Sequence, residues 1–358
     1  MGRCRILKEK FPDDRLEVYE PYRKLFFETM FERQLIWYKR FILKKPRPWT
    51  DNEILRDYKF TNVYRELDRN SQWLIKNIIM DSKLTDKELV WKMMFFRLFN
   101  NPETFTFEAK DKVLQKKFFD DRFNSVDDLI SSSRWRNGIP DYDEYDVEEF
   151  SRFIEGVRRV GQNPFTNAYL VNSGVVKGQS RDEYYTKMVI PELHGKMDEV
   201  IDIICCANRP EDIIRYFNSL RAVSDFMSHE FYQDLTYISI YTDRKIMRFD
   251  QNDFTNVGHG ASVGIRLIFP NLKGVDQKSG IYRLRDEANE MLAKISKEKG
   301  VDSFPFVSWN KKKSCYSVKN DCNITLHQIE MWLCEFQKYW KMMIGDGKQR
   351  SLFTPKTK

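Results

Sequence analysis

The stretch Asp225-Phe226-Met227-Ser228-His229-Glu230-Phe231-Tyr232-Gln233-Asp234-Leu235-Thr236-Tyr237-Ile238-Ser239-Ile240-Tyr241 decides the fold. It holds no Gly or Pro and reads as a helix rich in aromatics. Its tail, 236–241, is also the best short candidate for a period-two strand, and such runs are few elsewhere. Upstream, 191–206 and 210–223 read as two further helices, the second opening on Pro210 at a first helical turn. Thr85-Asp86-Lys87-Glu88 is a capping box with the apolar run 89–99 behind it, stopped by Asn100-Asn101-Pro102. Residues 15–44 carry three-to-four spacing until Pro46 and Pro48 forbid continuation. Further helices are expected over 50–70, 71–80, 147–160 and 282–299. A second capping box, Thr325-Leu326-His327-Gln328, precedes the stripe Ile329, Trp332, Leu333, Phe336 and Trp340. The class is therefore mostly α. The acidic stretch 138–145 suggests a soft boundary between an N-terminal helical region, 1–145, and a second helical domain, 146–358.

Composition narrows the function classes. No apolar run is long enough to span a bilayer, and no signal-peptide core follows the start, so a cytoplasmic location, or a nuclear one in a eukaryote, is expected. Six scattered cysteines form no C-x-x-C pair and imply neither a disulfide framework nor an iron–sulfur cluster. The formal charge of +7 permits an anionic partner without demanding one. Local basic clusters say more: Lys39-Arg40, Lys44-Lys45-Pro46-Arg47, Arg158-Arg159 and Lys311-Lys312-Lys313. Such clusters are more often solvated faces than phosphate tracks, and the aromatics beside them, Trp37, Tyr38, Trp49 and Trp309, raise the nucleic-acid reading somewhat.

Several motifs are absent. There is no Walker A sequence, so a P-loop kinase is excluded for this chain. The glycine-rich 258–264 lacks the strand and spaced acid of a dinucleotide fold and reads as a tight turn into a helix. The four histidines form no H-x-x-x-H pair, and no metal or other cofactor is expected.

Four blocks carry a resemblance: KFTNVYRELDR at 59–69, PFTNAY at 164–169, FMSHEFYQDL at 226–235 and EMWLCEFQKY at 330–339. Together they resemble the alpha-glutamyl/putrescinyl thymine pyrophosphorylase family, also described as the helical domain associated with 5-hydroxymethyl-deoxyuridine DNA kinases. The resemblance runs over about residues 20–355. It implies a DNA-glycosylase-like helical fold and a role in phage thymine hypermodification. In the implied reaction, an amine or amino acid displaces pyrophosphate at the 5-methylene of pyrophosphorylated 5-hydroxymethyluracil in DNA, with coupling to a P-loop DNA kinase. Excision of a modified base and non-catalytic DNA binding stay open as alternatives. The glycosylase hairpin, Leu-Pro-Gly-Val-Gly, corresponds here to Leu220-Arg221-Ala222-Val223-Ser224, with neither glycine. No lysine lies between Arg221 and Thr242 to form a Schiff base.

Chemistry on a base generally requires flipping it into an aromatic slot beside a placed charge. The segment 226–269 is where that site is expected. Phe226, Phe231 and Tyr232 are candidates for the slot, or plain helix core. Asp234 is the candidate central carboxylate, able to steady positive charge on a sugar or to accept a proton from an attacking ammonium. Asp253 is the second, or an N-cap. Glu230 lies four residues from Asp234 on one helical face, and His229 is adjacent. Cations must meet a departing pyrophosphate. Asn62, Arg65 and Arg69 would share one helical stripe, with Lys177 and Arg181 as further candidates; Glu330 is carried over from the resemblance.

Overall fold

Thr85 opens the helix Asp86–Phe99 as its sequence indicates: the threonine hydroxyl accepts from the Glu88 amide at 3.2 Å. Asn100 closes it in the left-handed region at φ 48°. Apolar residues surround this helix on every side, and Leu89, Val90, Met93, Met94, Phe95 and Phe96 are fully buried. The computed structural model describes residues 16–105, 138–159, 161–166, 179–272, 277–319 and 323–347. Among these residues the chain is mostly helical, with one two-stranded antiparallel sheet. No helix among them is long and apolar enough to cross a membrane.

Two compact units divide the chain, one running from Glu66 to Phe254 and one made of the segments before and after it. The continuous unit is built around Asp86–Phe99. Val147–Arg159 packs on it through Phe150, whose ring lies 4.8 Å from Phe95 and 5.7 Å from Phe99. The expected boundary near 145 therefore falls inside this unit. The acidic stretch is held there as well: Trp91 donates to the Pro140 carbonyl at 2.9 Å, and the Tyr142 ring stacks on His194 at 4.4 Å. Met197–Cys206, Pro210–Ser219 and Asp225–Tyr241 complete the unit. The strand considered for 236–241 is the end of the last of these helices. Aromatic and β-branched residues there are buried around the helix, so no alternation distinguishes the two states.

In the discontinuous unit, Glu20–Trp37 joins the C-terminal helix Leu326–Met343. The Trp332 indole donates to the Phe26 carbonyl at 3.1 Å, and Phe26 meets Phe336 edge to face at 5.5 Å. His259–Ile268 crosses the same C-terminal helix so closely that a Cβ on Gly264 would collide with the Leu333 carbonyl. The glycines of 258–264 thus serve a helix crossing. Gln277–Glu298 packs against the first helix, with Arg23 bonded to Glu287 at 2.9 Å. The hairpin Phe306–Asn310 with Cys315–Lys319 forms the sheet. A helix does not run through 50–70. After the short Glu53–Asp57 helix the backbone is set by distant side chains: the Thr61 amide donates to Glu335 at 3.2 Å, and Arg33 donates to the Asn62 side chain at 2.8 Å. Tertiary bonds outweigh local propensity there.

Candidate functional site

Within the continuous unit, the middle of the 225–241 helix faces the C-terminal half of the 86–99 helix. The contact between them is ionic. Arg97 reaches Asp234 as a fork, Nε to Oδ2 at 2.6 Å and Nη2 to Oδ1 at 2.5 Å. Its Nη1 donates to Asn100 Oδ1 at 3.1 Å and lies 3.7 Å from Glu230 Oε2. Arg97 and Asp234 are each 1% exposed, and Glu230 is 2% exposed. A buried charge is tolerable only when paired and hydrogen-bonded, and the forked geometry supplies both. Lys92, one and a half turns earlier on the same helix, is the second buried cation, held by Asp141 at 2.6 Å and the Ile139 carbonyl at 2.8 Å.

This geometry gives Asp234 a specific task. Both of its oxygens accept from Arg97, so it fixes the register of two helices and is not an open base in the described conformation. Glu230 lies on the same face one turn earlier, and His229 is buried beside it with its ring 6.1 Å from Phe254. Asp253 accepts from the Asp250 amide at 2.7 Å and so closes the turn 250–253; burial, then Asp250, pushes its carboxyl up. The helix after the glycine turn is capped by Gly258, not by Asp253.

The three aromatics proposed for a base slot do not share one. Phe226 is 47% exposed at the start of its helix, Phe231 is buried edge-on to Phe217, and Tyr232 packs on Phe254 while its hydroxyl donates to the Asp250 carbonyl. The phosphate stripe is also not helical. Asn62 lies in irregular backbone and accepts from Arg33, Arg65 opens a 3-10 turn, and Arg69 starts a separate helix and pairs with Glu103. Arg181 sits over the Phe165 ring at 3.9 Å, just after a capping box formed by Ser180 and Glu183. Lys177 lies outside the described residues. Glu330 is buried on the C-terminal helix, 3.7 Å from the Cys334 sulfur, and burial pushes that thiol well up.

Arg97, Asn100 and Lys92 were missed as site residues. Their signal is present in the sequence: two cations interrupt a run that is otherwise apolar on all faces, and such charges require internal partners. Phe165, from the second family-like block, stacks on Phe99 at 4.8 Å, and the Thr166 amide donates to the Phe99 carbonyl. Two of the four blocks therefore meet at the C-terminal end of one helix. Among the described residues, no group of three His, Cys, Asp or Glu is placed to hold a metal ion.

Comparison with known proteins adds the context. The family model described as the helical domain of 5-hmdU DNA kinase matches residues 20–349. A curated 5-hmdU DNA kinase of Bacillus phage SP10 is 25% identical over 326 residues, covering 88% of this chain and 44% of the relative. The chain thus spans less than half the length of that relative. No solved structure matches.

Proposed function

The chain belongs to the family of 5-hmdU DNA kinase helical domains, and from that premise we propose that it modifies thymine-derived bases in DNA containing 5-hydroxymethyl-deoxyuridine. The observation that carries the reading is the family match across 20–349, with the buried Arg97–Asp234–Glu230 cluster lying on its 226–235 block. In the proposed reaction an amine nitrogen attacks the 5-methylene carbon of a pyrophosphorylated base. A C–N bond forms, the C–O bond breaks, and pyrophosphate leaves with the electron pair. The attacking nitrogen then sheds a proton to a base. The buried carboxylate pair Asp234 and Glu230, one turn apart on one helical face, is assigned to that proton. Arg97 acts as a positioning residue. The chain has no Walker A sequence, so the preceding phosphoryl transfer is assigned to a P-loop DNA kinase. The proposed setting is the cytoplasm of a phage-infected cell.

Base excision is kept as a second reading because of one feature. Pro210–Ser219 and Asp225–Tyr241 are joined by the turn Leu220-Arg221-Ala222-Val223-Ser224, and Ala222 has φ 59°. That left-handed residue stands where the resembling glycosylase hairpin carries its first glycine, the residue type that adopts such a backbone most readily.

Incubation with pyrophosphorylated 5-hydroxymethyluracil DNA and a panel of amines, followed by nucleoside mass spectrometry, separates the two. The expected result is a new nucleoside adduct with release of pyrophosphate. Free base and abasic sites in its place would establish excision. Intact substrate with every amine would overturn both.

A further inference from the structure

The most unusual surface of the molecule lies in the discontinuous unit, at the end of its first helix. Glu20–Trp37 runs on into the wider turn Tyr38–Ile42 and then a loop to Trp49. This segment presents Phe41, Ile42 and Leu43 to solvent at 43%, 39% and 43% exposure. Around them stand Lys39, Arg40, Lys44, Lys45 and Arg47, and no acidic residue occurs between Gln34 and Thr50. Adjacent exposed hydrophobics ringed by cations mark a surface suited to a partner.

The element is built rather than loose. Lys39 donates to the Trp49 carbonyl at 2.8 Å, and the Trp49 indole donates to the Lys45 carbonyl at 2.7 Å. Arg40 lies over the rings of Phe41 at 4.6 Å and Trp49 at 5.2 Å, and Arg47 over Trp49 at 5.6 Å. Arg40 is close enough to Arg47 that the second charge, after burial, weakens its hold on a proton. The hairpin stands on the same aromatic row: Trp37 meets Phe41 at 6.2 Å and Tyr316 at 6.5 Å, and Tyr316 meets its cross-strand partner Trp309 at 5.0 Å. Its exposed tip is Lys311-Lys312-Lys313, with no acidic residue between Phe304 and Asn320.

We propose that the turn 38–49 and the hairpin 306–319 form a DNA-docking surface, in which the cations contact phosphates and Phe41, Ile42 and Leu43 press against bases at an opened step. The chemistry fits a polyanion that also offers apolar faces, which DNA does once its stacking is disturbed. The inference rests on the reading of the chain as a DNA-modifying protein and names where that protein grips its substrate.

Fluorescence anisotropy with the full chain tests it, using an unmodified duplex and the same duplex with a two-base mismatch, over a salt series. The variants are K44Q/K45Q/R47Q, K311Q/K312Q/K313Q and I42S/L43S, each checked for folding by circular dichroism. Every phosphate that a cation neutralises contributes about 0.9 to the slope of log affinity against log salt, so each triple variant should have a slope shallower by roughly 2 to 3 and bind about tenfold or more weakly. I42S/L43S should keep the slope and lose the preference for the mismatched duplex. Unchanged slopes and affinities in all three variants, with the parent chain binding DNA, would overturn the surface and leave the proposed reaction standing. Loss of binding to phosphatidylserine vesicles with DNA binding intact would overturn it in favour of a membrane contact. Charge-dependent DNA binding without any nucleoside adduct would leave the surface standing and remove the reaction.

Discussion

The interior of the continuous unit and the 38–49 turn of the other unit invert each other. Between the 86–99 and 225–241 helices, charges are buried where apolar residues would pack more simply. In the turn, apolar residues are exposed where charges would be expected. The first arrangement tolerates no loss of a partner, because each ion is held in place by another. The second should tolerate polar replacement of Ile42 and Leu43, which are largely exposed. Departures from the usual partition of residues thus have opposite consequences. The buried one constrains structure, while the exposed one is open to a partner.

The strongest way to break this comparison is Arg97→Met. It leaves Asp234 and Glu230 buried without their cation and should destabilise the protein by about 3 to 5 kcal/mol, read by urea denaturation. Adding Asp234→Leu should recover part of that loss, since one of the two carboxylates facing Arg97 is then replaced by an apolar side chain. If the single variant were as stable as the parent, the cluster would not hold the helices together.

A second buried acid tests the same principle by titration. Burial, aided by Asp68, pushes the Glu66 carboxyl up to about 7 from the ordinary 4.5. The folded state therefore favours the protonated form. Its stabilising contribution is complete below about pH 4.5 and is lost as pH rises through about 7, roughly 3 kcal/mol in all at about 1.4 kcal/mol per pH unit. Glu66→Gln should flatten stability across that window, and an unchanged pH dependence would count against this assignment. Next comes Gly264→Ala, whose methyl would strike the Leu333 carbonyl. A loss of about 1 to 3 kcal/mol is expected in thermal melts, as for other overpacked crossings. The smallest effect belongs to the turn: I42S/L43S should change stability by less than about 0.5 kcal/mol. A larger loss would mean that these side chains support the fold after all.

Much of the helical framework is legible in the sequence. The capping boxes at Thr85 and Thr325 announce helices whose apolar runs fix their length, and Pro46 and Pro48 mark where the first one stops. What stays hidden depends on residues far apart in the chain. The block 59–69 looks helical by spacing, yet its backbone follows Glu335 and Arg33. Asp234 is legible as an important carboxylate, but its partner lies 137 positions away, where no local pattern points to it. The hairpin escapes because Phe306–Asn310 and Cys315–Lys319 are short, and the lysines between them read only as a charge cluster. The aromatic slot fails for a related reason: Phe226, Phe231 and Tyr232 share a sequence block but point to three surroundings.

The discontinuity of the first unit also sets an order of events on the ribosome. Residues 66–254 emerge as an unbroken segment whose contacts cluster among themselves. The Glu20–Trp37 helix emerges earlier, but Phe26 bonds and packs with Trp332 and Phe336, made some 300 residues later. The earlier helix therefore waits for its native neighbours, and a nascent chain halted before Trp332 would leave Phe26 without the residues it packs against.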